Sequence, residues 1–67
     1  MGKLVTTLKK HRFLAEMSQD ELANLVGVRR ETIVHLEAGR YNPSLKLAFD
    51  IAKIFKVPIE EIFTFSD

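Results

Sequence analysis

The residues best suited to do chemistry lie between positions 29 and 46, and they are hydrogen-bonding groups rather than a catalytic set. Arg29, Arg30, Glu31 and Thr32 are followed by Val34 and His35. An arginine can fork onto guanine O6 and N7, a threonine or valine can meet a thymine methyl, and a carboxylate can accept from a cytosine amino group. These six residues are the candidates for a surface facing DNA bases. Arg40, Tyr41, Asn42, Ser44 and Lys46 follow, and such a density of cations, hydroxyls and amides suits phosphate oxygens, which orient a protein without reading sequence. Asn42 and Ser44 have a second use as caps of a following helix, and Tyr41 can pack its ring. Glu31 also has two uses: direct base contact, or an ion pair with Arg29 or Arg30 that positions the arginines.

Enzymatic chemistry is poorly provided for. Asp50 sits apart from the other acids, His11 and His35 lack metal-ligand spacing, and no Ser-His-acid or phosphate-loop pattern occurs. With no cysteine there is neither a disulfide nor a thiolate site. The expectation is a chain with no catalytic residue, no metal and no cofactor.

Positioning residues 29–35 requires a helix, and the surrounding sequence supplies a pair of them. Ser18 followed by Glu21 is a capping box that starts a helix, with Leu22, Ala23 and Leu25 or Val26 on its inner stripe. Gly27 ends it, because glycine accepts a left-handed backbone without Cβ strain, and Val28 can anchor the turn. The next helix is expected over about residues 30–38, with Ile33, Leu36 and Thr32 inward and a stop at Gly39. Two short helices joined by such a turn can lay the second in a DNA major groove.

Three more helices and a ribbon complete the reading. Thr6 or Thr7 can cap a first helix over about residues 8–16, with Leu8, Phe13 and Leu14 inward. Ser44 can cap a fourth, which presents Leu45, Ala48, Phe49, Ala52, and also Ile51 and Phe55, to the core. Pro58 suits the first turn of a final short helix through Ile62, with Glu60 and Glu61 near its positive end. Leu4 and Val5, together with Ile62, Phe63, Thr64 and Phe65, are β-prone and can pair the two termini. Leu4, Val5, Ile62, Phe63 and Phe65 exceed what a lone ribbon should expose, so they are the candidates for contact with a second subunit; the alternative is that all fold back on their own core.

Composition agrees with one small helical domain spanning residues 1–67. The chain is 46% hydrophobic and 28% charged, and a domain of this size hides only about 60% of its unfolded surface, which makes a partner subunit attractive. Net charge is only +1, but residues 1–43 hold seven Lys or Arg against five Asp or Glu, so the basic excess lies with the helix pair. Lys9, Lys10, Lys53 and Lys56 can be solvated face charges. No apolar run approaches the ~18 residues of a membrane span, and no secretory signal pattern opens the chain, so a cytoplasmic location is expected.

The motifs Ser18-Gln19-x-Glu21-Leu22-Ala23, Gly27-Val28, Arg30-x-Thr32-Ile33, Leu36-Glu37-x-Gly39-x-Tyr41-Asn42-Pro43-Ser44-Leu45 and Val57-Pro58-Ile59-Glu60-Glu61-Ile62-Phe63 are together distinctive. They resemble the Cro/phage-repressor-like, Xre-type helix-turn-helix family, and within it the short stand-alone regulators similar to the cytolysin regulator. The resemblance covers nearly the whole chain. It implies a mainly α, five-helix lambda-repressor-like DNA-binding fold, homodimeric repressors on near-palindromic operators, and a terminal β-ribbon that contributes to dimerisation. It further implies that Gln19 touches a phosphate and braces the recognition helix, and that Arg12 pairs with Glu37. The chain departs from the family where Arg29 replaces the commonest Ser and Glu31 the commonest Gln, so its operator bases cannot be copied from a relative. The leading expectation is a sequence-specific transcriptional regulator with double-stranded DNA and a second copy of itself as partners. The alternative is an antitoxin or partner-dependent interaction protein, with an unidentified regulatory protein on the same fold.

Overall fold

In the computed structural model, which describes residues 3–66, the capping and periodicity signals resolve into five helices and one ribbon. The order is β1 (Lys3–Thr6), α1 (Leu8–Leu14), α2 (Gln19–Val26), α3 (Arg30–Glu37), α4 (Leu45–Phe55), α5 (Ile59–Ile62) and β2 (Phe63–Ser66). The two strands pair antiparallel, with Leu4 opposite Phe65 and Thr6 opposite Phe63. Directly opposed residues share a face and alternate residues return to it, so Leu4, Thr6, Phe63 and Phe65 lie on one face, where Leu4 and Phe63 are buried and Phe65 is exposed at the end, while Val5 and Thr64 lie on the other. The ribbon is fastened at its inner end: the Thr7 amide donates to the Ile62 carbonyl at 3.0 Å, and the Thr7 hydroxyl to the Glu61 carbonyl at 2.7 Å.

That arrangement corrects the expected contact surface for a second subunit. Leu4, Ile62 and Phe63 are buried inside the single chain, and only Val5 and Phe65 of the five remain exposed. The core closes around Leu8, Leu22, Ile33, Leu36, Ile51 and Ile62, drawn from all five helices.

Helix α1 is shorter than the sequence suggests. It ends at Leu14, and Glu16 takes a left-handed conformation with φ 53° that turns the chain towards α2. Thr6, rather than Thr7, supplies the hydroxyl that accepts from the Leu8 amide, at 3.1 Å. Phe13 and Leu14, expected inward, are 60% and 74% exposed; a helix of two turns offers one narrow stripe to the core, and Leu8 and Arg12, four residues apart, occupy it. Leu25 is likewise exposed, and Val26 is the residue of that pair that packs on the core.

The capping box is complete: the Glu21 amide donates to Ser18 Oγ at 3.0 Å, and the Ser18 amide donates to Glu21 Oε1 at 2.8 Å. The second bond and the nearby hydroxyl hold the Glu21 carboxyl below its ordinary value. A depressed folded-state pKa contributes stability that is present above the carboxylate range and is lost as pH falls through it. Ser18→Ala is expected to cost about 1 kcal/mol, read from urea unfolding near neutral pH. The stability difference between the native chain and Glu21→Ala is expected to narrow in acid; a difference independent of pH would contradict the cap.

Gly27 follows α2 with φ 72°, and the Val28 amide returns to the Ala23 carbonyl at 3.0 Å, so the turn directs α3 across α2. Gly39, with φ 73°, follows α3 where β1 passes overhead: an added Cβ would lie 3.2 Å from the Leu4 carbonyl oxygen. In α4 the Ser44 hydroxyl accepts from the Leu47 amide at 3.1 Å, and Leu47, Ala48, Ile51 and Ala52 form the buried stripe. Leu45 and Phe49, expected in the core, are 80% and 55% exposed. Among the described residues no helix is long and apolar enough to cross a membrane.

Candidate nucleic-acid interface

Burial of Ile33 and Leu36 fixes how α3 is turned about its axis. At 100° per residue, Glu31 falls opposite them, flanked by Val34 and His35, with Arg30 and Thr32 towards the two borders; Arg30, Glu31, Val34 and His35 are exposed, and Thr32 is half-buried. Arg29 is the N-cap residue, extended and without a side-chain cap. Its arginine side chain has no acceptor oxygen to offer the free amides of the first turn. The base-facing candidates thus lie on one solvent-facing side, with Thr32 reaching it only at its edge.

A buried ionic hub holds the far end of α3. Arg12 Nε donates to Glu37 Oε2 at 2.7 Å and Nη2 to Glu37 Oε1 at 3.2 Å, while Nη1 donates to the Met17 carbonyl at 2.9 Å. Gln19 Nε2 donates to Glu37 Oε1 at 3.1 Å. The carboxylate therefore ties α1, the start of α2 and the end of α3 at one point. The two charged side chains are only 8% and 6% exposed, and the Glu37 hydrogen bonds hold the Arg12 guanidinium further into its charged form than burial alone would allow. The Phe13 ring centroid lies 4.8 Å from the guanidinium carbon, which places this exposed ring over Arg12 and gives it cation-π contact.

Of the phosphate-facing candidates, Gln19, Ser44 and Lys46 line two clefts, the first of which also takes in the base-facing candidate Arg30. Gln19 and Arg30 line one together with Lys9, Arg12, Phe13, Ser18 and Asp20. Lys9, which sequence reasoning treats as a solvated charge, belongs to this group and also sits 5.7 Å from the Phe13 ring; its place beside Arg30 follows from tertiary packing, and no local pattern announces it. Ser44 and Lys46 line the other cleft, beside Gly27 and Val28 of the turn. Ser44 is also the α4 cap, and Lys46 pairs with Asp50 at 2.8 Å, an exposed contact that a phosphate could replace at little cost. Arg40, Tyr41 and Asn42 lie on the loop between α3 and α4, with Arg40 and Tyr41 exposed. Among the described residues no group of three or more His, Cys, Asp or Glu side chains could hold a metal.

Known proteins resemble this chain in sequence and fold. A family model described as helix-turn-helix matches residues 8–62. The chain is 58% identical over 62 residues to an uncharacterized HTH-type transcriptional regulator of Archaeoglobus fulgidus, covering 92% of this chain and 87% of that protein. It is 35% identical over 52 residues to the cryptic phage CTXphi transcriptional repressor RstR of Vibrio cholerae, covering 78% of this chain and 47% of the repressor. Among solved structures, the restriction-modification controller protein C.AhdI from Aeromonas hydrophila superposes with a TM-score of 0.73 at 30% identity, covering 81% of this chain and 82% of that one. An outward α3 face braced by a buried ionic hub, in a chain matched along most of its length, places the protein in the Cro/phage-repressor-like, Xre-type helix-turn-helix family of DNA-binding transcriptional regulators.

Proposed function

We propose that this chain is a homodimeric repressor that reads a near-palindromic operator by placing α3 of each copy in successive major grooves. The observation that carries the proposal is the outward face of α3, where Arg30, Glu31, Val34 and His35 are exposed together on a helix fixed at both ends. Gln19, Lys9, Ser44 and Lys46, on either side, supply phosphate contacts that set register. Two recognition helices on one face of a duplex need half-sites about 34 Å apart. Repression then requires no catalytic step, only occupancy of the operator. The repressor name of the Vibrio cholerae relative supports this direction of regulation.

Dimerisation draws on the apolar surface that the single chain leaves open. Val5 and Phe65 are exposed on the ribbon, and Leu45 and Phe49 on α4. Phe49 also borders a groove with Ala52, Val57, Pro58 and Ile59. Such exposure is large for a chain of 67 residues. Phe65→Ser is expected to weaken self-association roughly tenfold or more, seen as a shift towards monomer in analytical ultracentrifugation; an unchanged concentration dependence would remove Phe65 from the interface. The mass of the DNA complex tests the whole proposal, with two chains per operator expected and one chain per operator contradicting it. A complex that forms on DNA only when a different protein is added would favour the partner-dependent alternative.

A further inference from the structure

Glu31 occupies the centre of the outward face of α3, where a negative charge opposes the attraction of DNA phosphates. Among the described residues the ion pairs are Arg12 with Glu37 and Lys46 with Asp50, and Glu31 is in close contact with neither Arg29 nor Arg30. The exposed carboxylate is thus open to its other use, direct base contact. The positive end of α3 favours an acid in the first turn. It does not require one on the face turned towards the groove.

A carboxylate can only accept hydrogen bonds. In the major groove, guanine offers N7 and O6 and thymine offers O4, all acceptors that repel it; adenine sets its N7 acceptor beside its amino donor, whereas cytosine presents its N4 amino group with no acceptor beside it on the same base. We infer that Glu31 is a specificity-determining residue that selects cytosine at one position of each half-site, accepting from the N4 amino group. The assignment rests on the proposed docking of α3 in the major groove. The cytosine assignment needs no partner side chain, since Arg30 lies about 100° round the helix from Glu31, in the cleft with Gln19 and Lys9.

The test is a selection from random duplexes with the native full chain and with Glu31→Gln, followed by titration of the recovered operator carrying C·G→T·A or C·G→A·T exchanges. The native chain is expected to lose about tenfold or more in affinity at the exchanged position. The glutamine of the Glu31→Gln variant, able to pair with adenine N6 and N7, is expected to change the recovered base from cytosine to adenine. Glu31→Ala is expected to lose preference at that position alone while binding scrambled duplex at least as tightly, because a repelling charge has gone. Identical motifs and equal exchange penalties for all three proteins overturn the cytosine assignment and leave DNA reading intact. Recovery of no motif by the native chain overturns both. Thermal melts of the three proteins establish that each is folded.

Discussion

Replacing Glu37 by alanine is expected to lower the unfolding free energy by about 3–5 kcal/mol, because it strands the Arg12 guanidinium in a buried site. A chain of 67 residues has roughly 3–10 kcal/mol in total, so this single change approaches global unfolding. The mechanism is the removal of both acceptors that serve Arg12 Nε and Nη2, leaving the Met17 carbonyl as its remaining hydrogen-bond partner. Gln19 loses its acceptor as well. Arg12→Met combined with Glu37→Met is expected to be much less damaging than either single change, since no buried charge is then left unpaired. Urea unfolding of these variants checks the claim, and a Glu37→Ala chain within about 1 kcal/mol of the native one would show that water reaches Arg12 and that the hub contributes little. DNA binding by Glu37→Ala should fail through loss of the fold, so it carries no information about base contacts.

Arg30→Ala is expected to do the opposite, leaving the fold intact and removing affinity for the operator. Arg30 is exposed, begins α3 and lines the cleft with Gln19 and Lys9. A bidentate arginine–guanine contact contributes about 1–3 kcal/mol of discrimination against the wrong base, and a symmetric dimer makes the contact twice. The specific affinity should therefore fall by about thirtyfold to twenty-thousandfold. Thermal melting should be nearly unchanged, because exposed substitutions outside caps and networks are generally within about 0.5 kcal/mol. Unchanged operator affinity with an intact dimer would remove Arg30 from the interface. A uniform loss on operator and scrambled duplex alike would reassign it from base to phosphate.

The two variants separate what sequence makes legible from what packing decides. Ser18, Glu21, Gly27 and Ser44 act through neighbours within five residues, and each does in the structure what its local pattern indicates. Ile33 and Leu36 are similarly plain, since a short helix with two large apolar residues three apart has one inner side. Helix α4 is different. Leu45, Leu47, Ala48, Phe49, Ile51, Ala52, Ile54 and Phe55 cover more than half its circumference, so periodicity alone does not choose between Leu45 with Phe49 and Leu47 with Ile51. Packing against α2 and α5 decides for the second pair. Phe13 escapes local reasoning for a related reason, because an aromatic ring over a buried arginine has the same sequence signature as an aromatic ring in a core. Lys56 ends α4 in a left-handed conformation with φ 57° although no glycine marks the position, and Lys9 joins the Arg30 cleft only through the approach of α1 to α3. The placement of Leu4 and Phe63 inside the single chain likewise depends on strand register, which sets both on one face.

The central claim is that the outward face of α3 reads DNA sequence, and the most direct measurement is affinity for duplex recovered by random selection against scrambled duplex across a salt series. Phosphate attraction alone falls steeply with salt and is shared by both duplexes. A preference of about a thousandfold or more that persists as salt rises, centred on two related half-sites, is the expected result. Parallel affinities for the two duplexes at every salt concentration, with no recovered motif, would contradict it.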